Sequence, residues 1–205
     1  MEQLQSVVKE SELQYLRSQI NPHFLFNNLN NLYAYALEQS PKTPEIILEL
    51  SGVLRYMLYE CQERYVSLSK EVEQLRNFVN LSRMQFEDRG EIRLSVKETG
   101  EDYQIAPLIL PVFVENACKH SLSSQSDNIS ISIELSLKDN GELQFVCENT
   151  FSPESNTDRL SRGIGLENVQ KRLELLYPDA YHLNINTTGN VYRVELYLQL
   201  HSTPV

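Results

Sequence analysis

Apolar residues recur every three or four positions through the first 84 residues and every second position through much of the rest, so this chain builds helices first and strands afterwards. In the first part Leu13, Leu16, Ile20, His23, Asn27, Asn30, Ala34 and Leu37 form one seam. Phe24, Leu25, Leu29 and Leu32 widen it to the stripe that a helical bundle uses. Pro41 and Pro44 end this helix, and a second pattern runs through Ile46, Ile47, Leu50, Val53, Leu54, Met57 and Leu58. A third follows Ser69 in Val72, Leu75, Phe78, Val79 and Met84. A helical hairpin this small has too little core of its own, which predicts a dimeric four-helix bundle made with a second chain.

The period then changes. Ile92, Leu94 and Val96 alternate, as do Ile129 to Leu137, Leu143 to Cys147 and Val191 to Leu200, and these predict strands. Asp139-Asn140-Gly141 reads as a hairpin turn between two of them, because Asn-Gly reaches positive φ at little cost. Helical stretches at about 108 to 123 and 163 to 176 interrupt the strands. The second part is therefore expected to be an α/β sandwich, a mixed and mostly antiparallel sheet with helices on one face. Six of the seven glycines lie between Gly90 and Gly189, which puts the boundary near 85 to 90. The whole is an α+β chain divided into 1–87 and 88–205.

Charge removes some functions. Eighteen basic against 28 acidic side chains leave −10 over 205 residues, the wrong sign for nonspecific binding to nucleic acid or an anionic membrane. The longest apolar stretch, Ile105 to Val114, is ten residues with Pro107 and Pro111 inside it, too short to span a bilayer. No basic segment followed by an apolar one opens the chain, so no signal peptide is expected. Cys61, Cys118 and Cys147 lack disulfide or zinc spacing and read as small buried residues of a reducing compartment. His23, His120, His182 and His201 have no partner at metal-ligand spacing, which argues against a histidine-held metal.

Three segments could carry chemistry. From Gln19 to Asn31, five Asn crowd into an apolar helix that local propensity would not choose. Asn21 with Pro22 suits an N-cap and first helical position, but the seam also runs through the proline as one kinked helix would. In the second case His23 sits between Gln19 and Asn27, and an amide oxygen holding Nδ1–H would leave Nε2 as a nucleophile. In the segment from Pro111 to His120, the residues Glu115, Asn116, Lys119 and His120 fall within one helical arc. A solvated amphipathic face explains that arc equally well; as a site, Asn116 offers a hard oxygen suited to Mg²⁺. From Arg159 to Arg172, the glycines Gly163 and Gly165 precede a helix among clustered bases that include Arg162, a pattern suited to phosphate.

Taken in order, Asn21-Pro22-His23-Phe24-Leu25-Phe26-Asn27, Glu115-Asn116-Ala117-Cys118-Lys119-His120 and Gly163-Ile164-Gly165-Leu166-Glu167-Asn168 make the sequence resemble the LytS-like sensor histidine kinases over about residues 12 to 200. The resemblance implies a dimerisation and phosphoacceptor hairpin joined to an ATP-binding domain of the kind shared with gyrase and the Hsp90 chaperones. By it, His23 is the phosphoacceptor, Asn116 the Mg²⁺ ligand, and Glu115 its acidic companion that orients or deprotonates. Lys119 and His120 lie near the phosphates, and Gly163, Ile164, Gly165 and Leu166 belong to the glycine box. Two features depart from the family. The adenine-binding Asp-x-Gly-x-Gly is replaced by Val146-Cys147-Glu148-Asn149-Thr150-Phe151, so Glu148 or Asn149 is the substitute, and the acid that often follows the phosphoacceptor is Phe24. Asn27 or Gln19 is then the candidate for orienting the imidazole.

The expected function is ATP-dependent autophosphorylation on His23 by a homodimer, followed by transfer to an aspartate of a response-regulator receiver domain. The alternative is a degenerate dimeric scaffold that binds ATP weakly or not at all. No sensing domain is recognisable, so a membrane sensor is expected before residue 1, which would make this the cytoplasmic portion of an inner-membrane-anchored bacterial protein.

Overall fold

The computed structural model describes residues 22–59, 61, 63–86, 89–97, 103–125, 127–152 and 164–202, without the side chains of 22–24 and 164. Helices come first. α1 (Pro22–Leu37) and α2 (Thr43–Tyr59) form the hairpin, and α3 (Leu68–Phe86) follows a two-residue strand, β1 (Val66–Ser67). The remainder runs β2 (Gly90–Lys97), β3 (Tyr103–Ile105), α4 (Leu110–Ser124), β4 (Ile129–Leu137), β5 (Glu142–Thr150), α5 (Ile164–Leu176), β6 (Tyr181–Thr188), β7 (Val191–Gln199) and β8 (His201–Ser202).

Five strands lie in the order β2-β4-β5-β7-β6, parallel between β2 and β4 and antiparallel elsewhere. That is the mixed, mostly antiparallel sheet expected from the alternation. Ile129, Ile131, Ile133, Leu135 and Leu137 of β4 are buried, as are Leu143, Phe145 and Cys147 of β5 and Val194, Leu196 and Leu198 of β7. Successive side chains of a strand point to opposite sides, so these residues share one face, which helices α4 and α5 cover. Phe145 sits at its centre, paired with Leu135 and Leu196 on the neighbouring strands and 5.9 Å from the Phe113 ring of α4. Gly141 closes the β4–β5 hairpin at φ +79°, with Lys138 and Glu142 joined across it at 2.9 Å.

The edge strand β6 was not expected. One side of it pairs with β7 and the other is open, so its residues are mostly exposed and show no clean alternation. β1, β3 and β8 make a separate three-stranded sheet, each strand too short to carry a period.

α3 joins the two ends of the chain. Its buried side chains Leu75, Phe78 and Val79 belong to the same core as Ile46, Leu50 and Val53 of α2, and the helix also packs against α4 and β2. Polar contacts add to this, with Asn80 Nδ2 donating to Glu49 Oε1 at 2.9 Å and the Arg83 guanidinium reaching the Ile92 carbonyl.

The seam on α1 differs from expectation. In the single chain Asn30, Ala34 and Leu37 are exposed, and the inward row is Leu25, Asn28, Leu32 and Tyr35. Adjacent helical positions lie 100° apart, so a three–four count fits neighbouring rows almost equally, and packing against α2 selects between them. Phe26, Leu29, Tyr33 and Leu37 remain 64%, 45%, 66% and 67% exposed, leaving an apolar row directed away from the chain's own core. The three cysteines are buried, and burial pushes the Cys118 thiol up to about 12 and that of Cys147 higher.

Candidate functional site

Helix α4 begins after Pro107-Leu108-Ile109, with Pro111 in its first turn, where a missing N–H costs nothing. Its apolar side, with Phe113, Val114, Ala117 and Cys118, faces the sheet. The residues singled out for function occupy the other arc: Glu115, Asn116 and His120 are half-buried and Lys119 is exposed. His120 stacks on Tyr192 of β7, ring centroids 6.4 Å apart at 27°.

α5 is described from Ile164 onward, so Arg162 and Gly163 lie outside the described residues, as does the Ile164 side chain. Gly165 is exposed in the first turn and Leu166 is buried behind it. A Cβ at Gly165 would stand 3.6 Å from Val112 Cγ1, an ordinary contact. Val112 lies one turn before Asn116 on the same side of α4. The start of α5 therefore runs beside the stretch of α4 that carries Asn116.

The two candidates on β5 are separated by the pleat. Glu148 lies on the face away from the helices, paired with Arg193, which also donates to Glu195 at 2.7 and 2.9 Å. That guanidinium holds the Glu195 carboxyl below its ordinary range. Asn149 points the other way. It is 2% exposed, and its Nδ2 donates to Ser121 Oγ and to the Thr150 carbonyl, both at 3.1 Å. Ser121 donates in turn to Thr150 O at 2.7 Å, and Thr150 Oγ1 to Gln125 Oε1 at 2.9 Å. With its N–H atoms directed at these acceptors, the Asn149 amide has a fixed orientation on the α4 side of the sheet.

Sequence reasoning missed Ser121 and Gln125. The available signal was a hydroxyl at position 121, on the apolar side of α4 where Ala117 and Cys118 would predict another small apolar residue.

His23 lies on helical backbone one residue into α1, and its side chain is outside the described residues, as is Gln19. Asn27 is half-buried one turn further along. Among the described residues no three His, Cys, Asp or Glu side chains cluster as a metal cage requires, and no helix is long and apolar enough to cross a membrane. Mg²⁺ asks less, taking one or two protein oxygens and keeping its water. The half-buried Asn116 amide fits that donor chemistry.

Comparison with known proteins bears on the family and the fold. Residues 11–90 match the family model described as histidine kinase. The sensor histidine kinase/phosphatase LytS of Staphylococcus aureus is 28% identical over 200 residues in strains Mu50 and N315, covering 90% of this chain and 33% of the relative. The chain thus spans about a third of the length of these curated relatives. Among solved structures, a bacterial phosphotransferase shares the fold at a TM-score of 0.51 and 10% identity, over 90% of this chain and 95% of that one. Full-length ShkA in complex with AMPPNP does so at 0.50 and 15%, over 95% of this chain and 47% of that one.

Proposed function

We propose that the chain, which matches the histidine kinase family model over residues 11–90 and is 28% identical to LytS, is an ATP-dependent kinase that phosphorylates itself on His23 and passes the group to an aspartate of a response-regulator receiver domain. The observation that carries this reading is the side-by-side placement of the Asn116 stretch of α4 and the glycine-bearing start of α5 on one face of the sheet. In the proposed division of labour, 1–87 holds the phosphoacceptor and dimer helices and 88–205 holds ATP, with α3 bridging the two. The exposed row Phe26, Leu29, Tyr33 and Leu37 supports pairing of α1 with a second copy. Signal sensing and membrane attachment are assigned to protein outside these 205 residues.

Each residue has a task in this scheme. Asn116 would hold Mg²⁺, whose charge would offset that of the phosphates. Amides at the start of α5, with Gly163, Ile164, Gly165, Leu166 and Arg162, receive the phosphates, with Lys119 and His120 nearby. Glu115 takes or orients the imidazole proton, and Asn27 fixes the ring tautomer. His23 Nε2 forms the new N–P bond as the bond from the γ-phosphorus to the bridging oxygen breaks, and ADP departs.

The test is to incubate the purified chain with Mg²⁺ and γ-labelled ATP. Acid-labile, alkali-stable label is the expected result. Absence of both label and Mg·ATP binding at millimolar nucleotide would overturn the kinase reading in favour of a scaffold.

For the base-binding position the pleat favours Asn149 over Glu148. Asn149→Ala is expected to weaken ATP binding about tenfold, the worth of one well-formed hydrogen bond. Glu148→Ala, on the far face, should stay within about twofold by titration calorimetry. The reverse order would transfer the role to Glu148.

A further inference from the structure

The first turn of α3 carries a carboxylate where its apolar row calls for hydrocarbon. Glu71 lies among Leu68, Val72 and Leu75 and is fully buried, a position that an ion tolerates only with hydrogen-bonding partners. Oε2 accepts from the Tyr56 hydroxyl at 2.6 Å and from Leu108 N–H at 3.0 Å, and Oε1 from Leu110 N–H at 3.4 Å. Burial pushes its pKa up, and these donors together with the Arg172 guanidinium pull it back.

The partners belong to different parts of the fold. Tyr56 is 1% exposed on the inner side of α2, the second helix of the hairpin. Leu108 and Leu110 flank the start of α4, whose N-cap residue, Ile109, has no side-chain acceptor. Glu71 satisfies those N–H groups from another helix, in place of a local cap. Leu108 is held at φ +58°, a left-handed conformation that persists only where surrounding contacts impose it. The same loop is gripped from its far side: Ala106 N–H donates to the Tyr177 hydroxyl at 2.7 Å, and Arg172 donates to the Pro107 carbonyl at 2.5 Å. Arg172 is on α5, and Tyr177 follows that helix directly. At residues 106–110 Glu71 of α3, itself bonded to Tyr56 of the hairpin, thus reaches the loop that α5 also grips, beside both helices that the nucleotide is proposed to use.

We propose that Tyr56 and Glu71 are positioning residues through which the phosphoacceptor hairpin sets the placement of the Asn116 helix, an inference that rests on the kinase reading above. Neither touches the reacting atoms. A short hydrogen bond to a buried carboxylate tolerates little stretch, so a shift of α2 is felt at the first turn of α4. Alignment of the two parts governs phosphoryl transfer more than nucleotide binding does, and the contact should therefore act on rate.

Tyr56→Phe tests this, because it keeps the buried ring and removes only the hydroxyl. The expected result is about a tenfold slower labelling of His23, Mg·ATP affinity within twofold of the parent, and faster amide exchange at Leu108 and Leu110. A parental labelling rate, or parental exchange at both amides, overturns the proposal. So does a fall in ATP affinity that matches the fall in rate, since that reports general damage to the nucleotide site. If the unmutated chain takes up no label, the amide exchange alone upholds or overturns the mechanical link, and if it also fails to bind Mg·ATP the kinase reading itself falls.

Discussion

His23→Ala is expected to abolish uptake of acid-labile label from γ-labelled ATP while leaving Mg·ATP binding and the melting temperature near those of the parent. Position 23 is on helical backbone, and alanine is the best helix former, so α1 should persist. Those of the proposed binding residues that the structure describes lie on α4, α5 and β5, on other elements from the one changed. A large loss of rate with intact affinity therefore distinguishes a missing acceptor from a damaged domain. Label retained by the variant would move the acceptor elsewhere. Peptide mapping would then separate His120, stacked on Tyr192, from the exposed His182 and His201.

Phe145→Ala is expected to cost about 3–5 kcal/mol, because the ring is fully buried between Leu135, Leu196 and Phe113 and its removal leaves a void that three different elements would have to close. For a chain of this size that is roughly 6–20 °C in melting temperature. Ile185→Ala on the edge strand, where the side chain is 41% exposed, should cost under about 1 kcal/mol. Denaturant unfolding of both variants checks the contrast, and a Phe145→Ala cost below about 1 kcal/mol would mean that the sheet centre is not where the stability resides.

Much of this architecture was readable from residue order. β4, β5 and β7 alternate because one face is buried, and Asn140-Gly141 marks the turn between the first two through the positive φ that Gly141 adopts. What stayed hidden depended on partners distant in the chain. Glu148 and Asn149 are adjacent and equally plausible as a substitute for an aspartate; only the pleat shows their different surroundings, Arg193 on one side and Ser121 on the other. Glu71 breaks an apolar row, a visible anomaly whose meaning required Tyr56, Leu108 and Leu110, the last two nearly forty positions away. The inward row of α1 depended on where α2 lay, which periodicity within α1 does not encode.

The strand order has one more consequence, for how the molecule behaves in a crowded solution. β2 and β6 are the rims of the main sheet, where unpaired N–H and C=O groups could recruit a strand from another molecule. The outermost rows carry Glu91, Arg93 and Lys97 on one rim and His182, Asn186, Thr187 and Thr188 on the other, all exposed. Charged and small polar side chains there keep water bound along both rims, so sheets of neighbouring molecules are discouraged from fusing edge to edge.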